Sequence, residues 1–204
     1  MLIYGINAVI EALRAGRVRE LRVAGRSDDR VRAIVEDATT RGVRMRHVRR
    51  DALDAAADGH NHQGVVADVA PLAPATLDDL ARPTEGADPP LIVVLDGIED
   101  PQNVGAIIRT VDAAGASGVV RQTRHAAALG GAAAKASAGA VHHVAVADVV
   151  NIARALDELK ELGVWSVGLD AAAENPYYEL DLTVPLALVV GAEGHGLRRL
   201  VRER

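Results

Sequence analysis

Hydrophobic and polar positions along this chain switch repeatedly between a helical and a strand period. Residues 6–15 place Ile6, Val9, Ile10 and Leu13 at i, i+3, i+4 and i+7, which predicts a helix. Residues 20–24 put Leu21 and Val23 on one face of a strand. Asp28 or Asp29 can cap a helix through Thr40 that Gly42 ends. Residues 43–48 alternate again, so their arginines line one strand face. A short helix over 51–57 and a strand over 64–69 complete a small α/β region. From Leu91 onward the pattern is strand, helix, strand, helix. Strands are expected at 91–95, 118–120, 144–146, 164–168 and 186–190. Helices are expected at 104–114, 126–140, 149–162 and from Leu197 to the end of the sequence. Alternation of this kind implies a mostly parallel sheet.

Residues 71–90 hold Pro71, Pro74, Pro83, Pro89 and Pro90 and read as a linker, with a helical turn at 76–81. The expected organisation is therefore a domain over 1–70, a linker over 71–90 and a second domain over 91–204. No internal repeat is visible.

Composition narrows the chemistry. The chain has 204 residues, 49% of them hydrophobic but only 2% aromatic, so the core is built from Ala, Val, Leu and Ile. It has no cysteine, which excludes disulfides, thiolate metal sites and cysteine nucleophiles. Its apolar runs fall short of the ~18–20 residues of a membrane helix, and its first residues lack the pattern of a secretory signal. The expected compartment is the cytosol. The net charge of −5 argues against a nucleic-acid binder, yet its distribution is uneven: residues 1–70 carry +2 and the remainder −7. Between positions 41 and 50 stand Arg41, Arg44, Arg46, Arg49 and Arg50 without one acid. Basic residues of this density either neutralise phosphates or keep a strand edge soluble.

Two apolar strands end in polar, glycine-containing loops, and in open α/β sheets ligands sit at the carboxyl ends of strands. The first loop carries Asp96, Asp100, Gln102 and Asn103 and leads into a helix bearing Arg109. Asp100 before Pro101 suits a helix start, with Asn103 as an alternative cap. Arg109 lies away from the Val104, Ile107, Ile108, Val111 stripe and so faces solvent, a partner or a ligand. The second loop is Gly191-Ala-Glu-Gly-His-Gly196, whose glycines permit close backbone approach. It is neither G-x-G-x-x-G nor a P-loop, which disfavours nicotinamide and nucleoside-triphosphate chemistry. The pairs His60/His62 and His142/His143 lack a completing carboxylate set, so no metal is expected. The stretch Lys135-Ala-Ser137-Ala-Gly139-Ala is either an anion-contacting helix end or a set of small residues that allows close helix packing.

Together these motifs resemble the SpoU/TrmH family of RNA ribose 2′-O-methyltransferases. Asp100-Pro-Gln-Asn103-Val-Gly105-Ala-Ile-Ile-Arg109-Thr resembles the family's first motif, Leu188-Val-Val-Gly191-Ala-Glu193-Gly194-His-Gly196-Leu197 its second, and the 135–140 segment matches the stretch between them. Tyr4-Gly-Ile-Asn-Ala-Val-Ile-Glu-Ala-Leu13 and His62-Gln63-Gly64-Val-Val-Ala resemble its L30e-like amino-terminal RNA-binding domain. The resemblance implies a SPOUT-type α/β-knot domain with a trefoil knot, S-adenosyl-L-methionine as cofactor, RNA as substrate and a homodimer. A guanosine of 23S rRNA is the implied target. Carried over by motif, Asn103, Arg109 and Glu193 are the catalytic residues, and Gly191, Ala192, Glu193, Gly194 and Gly196 the cofactor loop. Arg41, Arg44, Arg46, Arg49 and Arg50 are the expected RNA contacts. No metal is implied, because a sulfonium already carries an activated methyl.

The family's third motif, an Ile-Pro-Met segment followed by Ser-Leu-Asn-Val-Ser, does not occur in the 204 residues, so the knot is expected to be incomplete within them. Competing expectations are a tRNA-directed enzyme, a non-catalytic RNA-binding protein and a small-molecule α/β enzyme.

Overall fold

The computed structural model describes residues 1–25, 29–83, 88–124, 126–173 and 175–204. They divide into two compact units. The first joins Met1–Leu72 with Pro101–Arg109 and Ala128–His143, and the second joins Ala73–Asp100, Thr110–Ala127 and Val144–Arg204.

The first unit contains β1 (Leu2–Tyr4), α1 (Ile6–Arg14), β2 (Val18–Ala24), α2 (Asp29–Thr40), β3 (Arg44–Val48), α3 (Arg50–Ala56) and β4 (Val65–Val69). Its strands form a sheet in the order β1-β4-β2-β3, antiparallel except for the β2–β3 pair. The expected α1 stripe buries Ile6, Val9 and Leu13 together with Ala8 and Ala12. Each fully buried Leu or Val contributes roughly 1.5–3 kcal/mol. Gly5, at φ 94°, turns the chain into α1, and Ile6 N donates to Gln63 Oε1 at 3.0 Å, satisfying an amide that helix geometry leaves open. Three-residue β1 was not expected, being too short to show alternation. Asp28, one of two expected caps for α2, lies outside the described residues.

The same unit holds the start of α5 (Pro101–Ala113) and all of α6 (Gly131–Ala136). The helix expected over 126–140 is much shorter: only α6 is α-helical, followed by a 3₁₀ turn at Ala140–His142. Tertiary packing overrides the helical propensity of this alanine-rich stretch. A Cβ on Gly130 would stand 2.9 Å from Met1 Cγ, and one on Gly139, at φ 98°, 2.5 Å from Glu11 Cβ. Gly105 permits the closest approach of α5 and α6, since a Cβ there would lie 2.5 Å from Ala136 Cβ and 2.6 Å from the Ala133 carbonyl oxygen. Buried Ser137 donates to the Ala134 carbonyl at 2.9 Å. The small residues of this stretch thus permit close helix packing, as one of its two readings expects.

The second unit contains α4 (Leu77–Ala81), β5 (Leu91–Asp96), β6 (Gly118–Gln122), β7 (Val146–Val149), α7 (Ile152–Glu161), β8 (Trp165–Leu169), β9 (Leu186–Gly191) and α8 (Arg199–Arg202). All pairings in its sheet, ordered β7-β6-β5-β9-β8, are parallel. Ile92, Val94, Val120, Ala187 and Val189 meet Ile152, Leu156 and Leu159 of α7 in one core. Within the expected linker, Leu77, Leu80 and Ala81 of α4 belong to that core; Thr76 and Asp79 form a capping box at its start. The helix expected from Leu197 to the end is only α8, four residues long.

In the first unit His142 is 2% exposed, with Nδ1 2.8 Å from Arg17 Nη1, while Arg17 Nε donates to the Ala70 carbonyl at 3.0 Å. An Arg only donates, so Nδ1 accepts and the imidazole is neutral. Burial, then the charge of Arg17, push its pKa down to about 4; His143 adds to this and Glu11 opposes it. A folded-state pKa below the unfolded value of 6.5 means that the unfolded chain binds the extra proton. Stability from this group is therefore present above pH 6.5 and lost as pH falls toward 4. We expect denaturant titration to show a loss of about 2–3 kcal/mol between roughly pH 7 and pH 4.5 that His142→Gln largely removes. Identical pH slopes for the two proteins would contradict this.

Candidate functional site

In a parallel sheet every strand ends at the same edge, and here three neighbouring ends are fastened together. The β5–β9 register pairs Asp96 with Gly191, so the two candidate loops leave the sheet side by side. Asp96 is fully buried and accepts from Arg198 N at 2.8 Å and Arg198 Nε at 2.6 Å. Arg198 Nη2 also donates to Gln122 Oε1, at the end of β6, at 2.8 Å. Charge-assisted bonds of this kind are what allow a carboxylate to stay buried. Sequence reasoning placed Asp96 in a polar turn without a role and missed Arg198, because nothing local couples residues 102 positions apart.

The loop after β9 closes on itself. Ala192 and Gly196 form an antiparallel bridge, with Gly196 N donating to the Ala192 carbonyl at 2.8 Å. Gly191 is required by contact: a Cβ there would lie 2.2 Å from the Gly196 carbonyl carbon. Gly194 and Gly196 are required by conformation, at φ 78° and 63°. The tip, Glu193 to His195, is exposed. The five residues assigned to the cofactor loop thus form one backbone-lined turn at the carboxyl edge. Such a cradle suits a ligand held by main-chain groups.

Asn103 and Arg109 lie on α5, in the first unit, and Glu193 in the second. Because α5 starts at Pro101, Asn103 is inside the helix and is not its cap. Asn103 is half-buried; Arg109 is exposed and makes no ion pair among the described residues. Six residues apart, they project about 120° from each other. The helix therefore does not put them on one side.

Two sequence patterns match this chain: that of the SpoU rRNA Methylase family over residues 90–204, and that of RNA 2′-O ribose methyltransferase substrate binding over residues 2–75. The chain belongs to the SpoU rRNA methylase family. It is 44% identical to the 23S rRNA (guanosine-2′-O-)-methyltransferase RlmB of Pseudomonas syringae, over 98% of this chain and 82% of that protein. It is 40% identical to RlmB of Photobacterium profundum, over 99% of this chain and 84% of that protein. Its fold is similar to that of an S-adenosylmethionine-bound rRNA methyltransferase from Sinorhizobium meliloti. The TM-score is 0.77 at 27% identity, with 99% of this chain and 74% of that one covered. The α/β fold expected from the sequence is thus that of SpoU methyltransferases.

The five arginines proposed for RNA are arranged less simply in this family member than on one strand. Only Arg44 and Arg46 lie on β3, an edge strand, where they share Glu20 at 3.6 and 3.2 Å. Arg22 donates to the same carboxylate at 3.0 Å, and this bond, reinforced by the charges of Arg46 and Arg44, holds Glu20 below its ordinary pKa. Arg41, just after α2, pairs with Asp37; Arg49, just before α3, pairs with Asp51; Arg50 is the exposed first residue of α3. Acids absent from the 41–50 window are therefore supplied by the fold. The histidines once weighed as metal ligands have other contacts: His62 bonds Asp54 and Gly64, and His143 bonds Glu11.

Gly105→Ala is expected to destabilise the protein despite alanine's better helix propensity. Overpacking at a contact this tight costs about 1–3 kcal/mol against the ~1 kcal/mol gained from propensity. Thermal denaturation checks the sign; a raised melting temperature would show that α5 and α6 can separate without cost.

Proposed function

We propose that this chain transfers a methyl group from S-adenosyl-L-methionine to a ribose 2′-hydroxyl of RNA, at a guanosine of 23S rRNA. The observation that carries the reading is identity of 40% or more with two RlmB enzymes along almost the whole chain. Residues 1–70 form the RNA-binding domain in this proposal, and 91–204 the SPOUT methyltransferase domain, with the knot incomplete within these residues. The enzyme acts in the cytoplasm as a homodimer. Three of its four aromatic residues support self-association: Trp165, Tyr177 and Tyr178 are 66–73% exposed on the second unit. No helix among the described residues is long and apolar enough to cross a membrane.

The backbone-lined turn formed by Gly191, Ala192, Glu193, Gly194 and Gly196 fits a cofactor gripped through main-chain groups, and these residues would hold it. When bound, S-adenosylmethionine supplies a methyl group activated on a sulfonium sulfur. Transfer forms the ribose O–CH₃ bond, breaks the S–CH₃ bond and releases the hydroxyl proton to solvent. Arg109 keeps its charge at all relevant pH, so its role is to stabilise the developing alkoxide and align it for in-line attack. Asn103 orients the ribose, and Glu193 positions the substrate.

Arg109→Ala should lower methyl incorporation into unmodified 23S rRNA by about 10²–10³ while RNA binding persists. Full activity in that variant would remove Arg109 from the reaction. No methylation by the unaltered chain, with RNA binding intact, would instead favour a non-catalytic RNA-binding protein. Replacing Arg44, Arg46 and Arg49 together by alanine should weaken RNA binding and flatten its salt dependence, as counterion release requires. Binding that is unchanged across a salt series would take this edge off the RNA surface.

A further inference from the structure

Three stretches that the methyl-transfer reading leaves unused meet in the first unit: residues 4–7, residues 60–64 and Lys135. Their centre is the buried ring of Tyr4. His60 stacks on it, with ring centroids 5.6 Å apart and planes 11° from parallel. Lys135 Nζ lies 6.0 Å from the same ring's centroid. Gly131 leaves the ring room, since a Cβ there would be 3.3 Å from Tyr4 Cε1. Because Tyr4 is 4% exposed and His60 is exposed, one face of the imidazole is covered and solvent reaches the residue from outside.

Polar groups around this stack are held with hydrogen-bonding capacity to spare. Lys135 Nζ donates to the Asn61 carbonyl at 2.8 Å, and Gln63 N donates to Asn61 Oδ1 at 3.1 Å. Gln63 Oε1 is taken by Ile6 N, and Asn7 Oδ1 by Arg30 Nη2 at 3.3 Å. In all three amides the oxygen is engaged through these bonds, which leaves the NH₂ groups of Asn7, Asn61 and Gln63 as donors. Asp58 and Gln63, at φ 50° and 55°, hold the loop in a conformation that side-chain-bearing residues rarely adopt. Unlike Arg44 and Arg46, neither Arg30 nor Lys135 is in an ion pair among the described residues. Of the nearby acids, Asp54 is bonded to His62, and Asp58 acts on Tyr4.

We propose that this cluster is a contact site for single-stranded RNA, in which an unpaired base stacks on the outer face of His60. Arg30 and Lys135 take the flanking phosphates, and the amides of Asn7, Asn61 and Gln63 contact the base edge. An aromatic ring backed by a second ring is a rigid platform for any base, and a base can use it only when free of its own helix. The cluster crosses the border between the two family patterns: His60 lies in residues 2–75 and Lys135 in residues 90–204, yet both belong to one compact unit. This inference rests on the RNA reading above.

Fluorescence anisotropy with a short mixed-sequence RNA, single-stranded and as its duplex, tests it across a salt series. His60→Ala should weaken single-strand binding on the order of tenfold and leave duplex binding nearly unchanged. His60→Phe, which keeps a stacking ring, should restore it. Lys135→Gln should reduce the salt slope by about 0.7. If the unaltered chain binds single strands and both His60→Ala and Lys135→Gln bind equally well, the cluster is not the contact site, while the methyl-transfer reading stands. If His60→Phe is as weak as His60→Ala, stacking is overturned. If the unaltered chain neither binds nor methylates RNA, the RNA reading fails and this inference with it. Circular dichroism melts confirm that each variant is folded.

Discussion

A carboxylate with no exposed surface has to be answered by a cation, and the second unit is organised around that requirement at Asp96. Its partner Arg198 uses a backbone amide and the guanidinium together, then reaches on to Gln122. Removing Arg198, itself half exposed, would leave the Asp96 carboxylate buried and unpaired at a cost of about 3–5 kcal/mol, so the ends of β5 and β6 and the segment after the Gly191–Gly196 turn are tied to one geometry. The turn inherits its position from this clamp. It begins at the residue paired with Asp96 and ends two residues before Arg198.

Scarcity of aromatic side chains shapes the remainder. With large rings almost absent from the interior, contact is gained by bringing backbones close. Gly105 against α6, Gly139 against α1 and Gly191 against Gly196 all sit where a methyl group would collide. Close-packed interiors of this kind transmit small volume changes directly. Of the rings that do exist, Tyr4 is buried as the hub beneath His60, and the others lie on the surface of the second unit.

Much of this was legible in the order of residues. The strand-loop-helix from β5 into α5, and the strand and glycine turn of β9, follow from apolar runs and glycine spacing alone. So does α1, whose stripe falls on the expected positions. Other features needed the third dimension. The helix of residues 126–140 breaks because its glycines answer to α1 and β1. The basic stretch 41–50 looked uncompensated because Glu20, Asp37 and Asp51 lie outside the window. Asp96 gave no sign of its importance, since what makes it important is a residue far along the chain. Periodicity reports which face is buried and does not report which distant group will meet it.

The in-register pairing of β5 with β9 also sets a timetable. Leu91 lies beside Leu186, so the central strand of the second sheet lacks one neighbour until some 95 further residues have been made. At the usual pace of synthesis that interval is about 5–20 s. For that time an almost wholly apolar strand has an unpaired edge on the growing chain. A newborn molecule is then most exposed to aggregation at the strand that later anchors its turn, and its sheet closes only once β9 has been made.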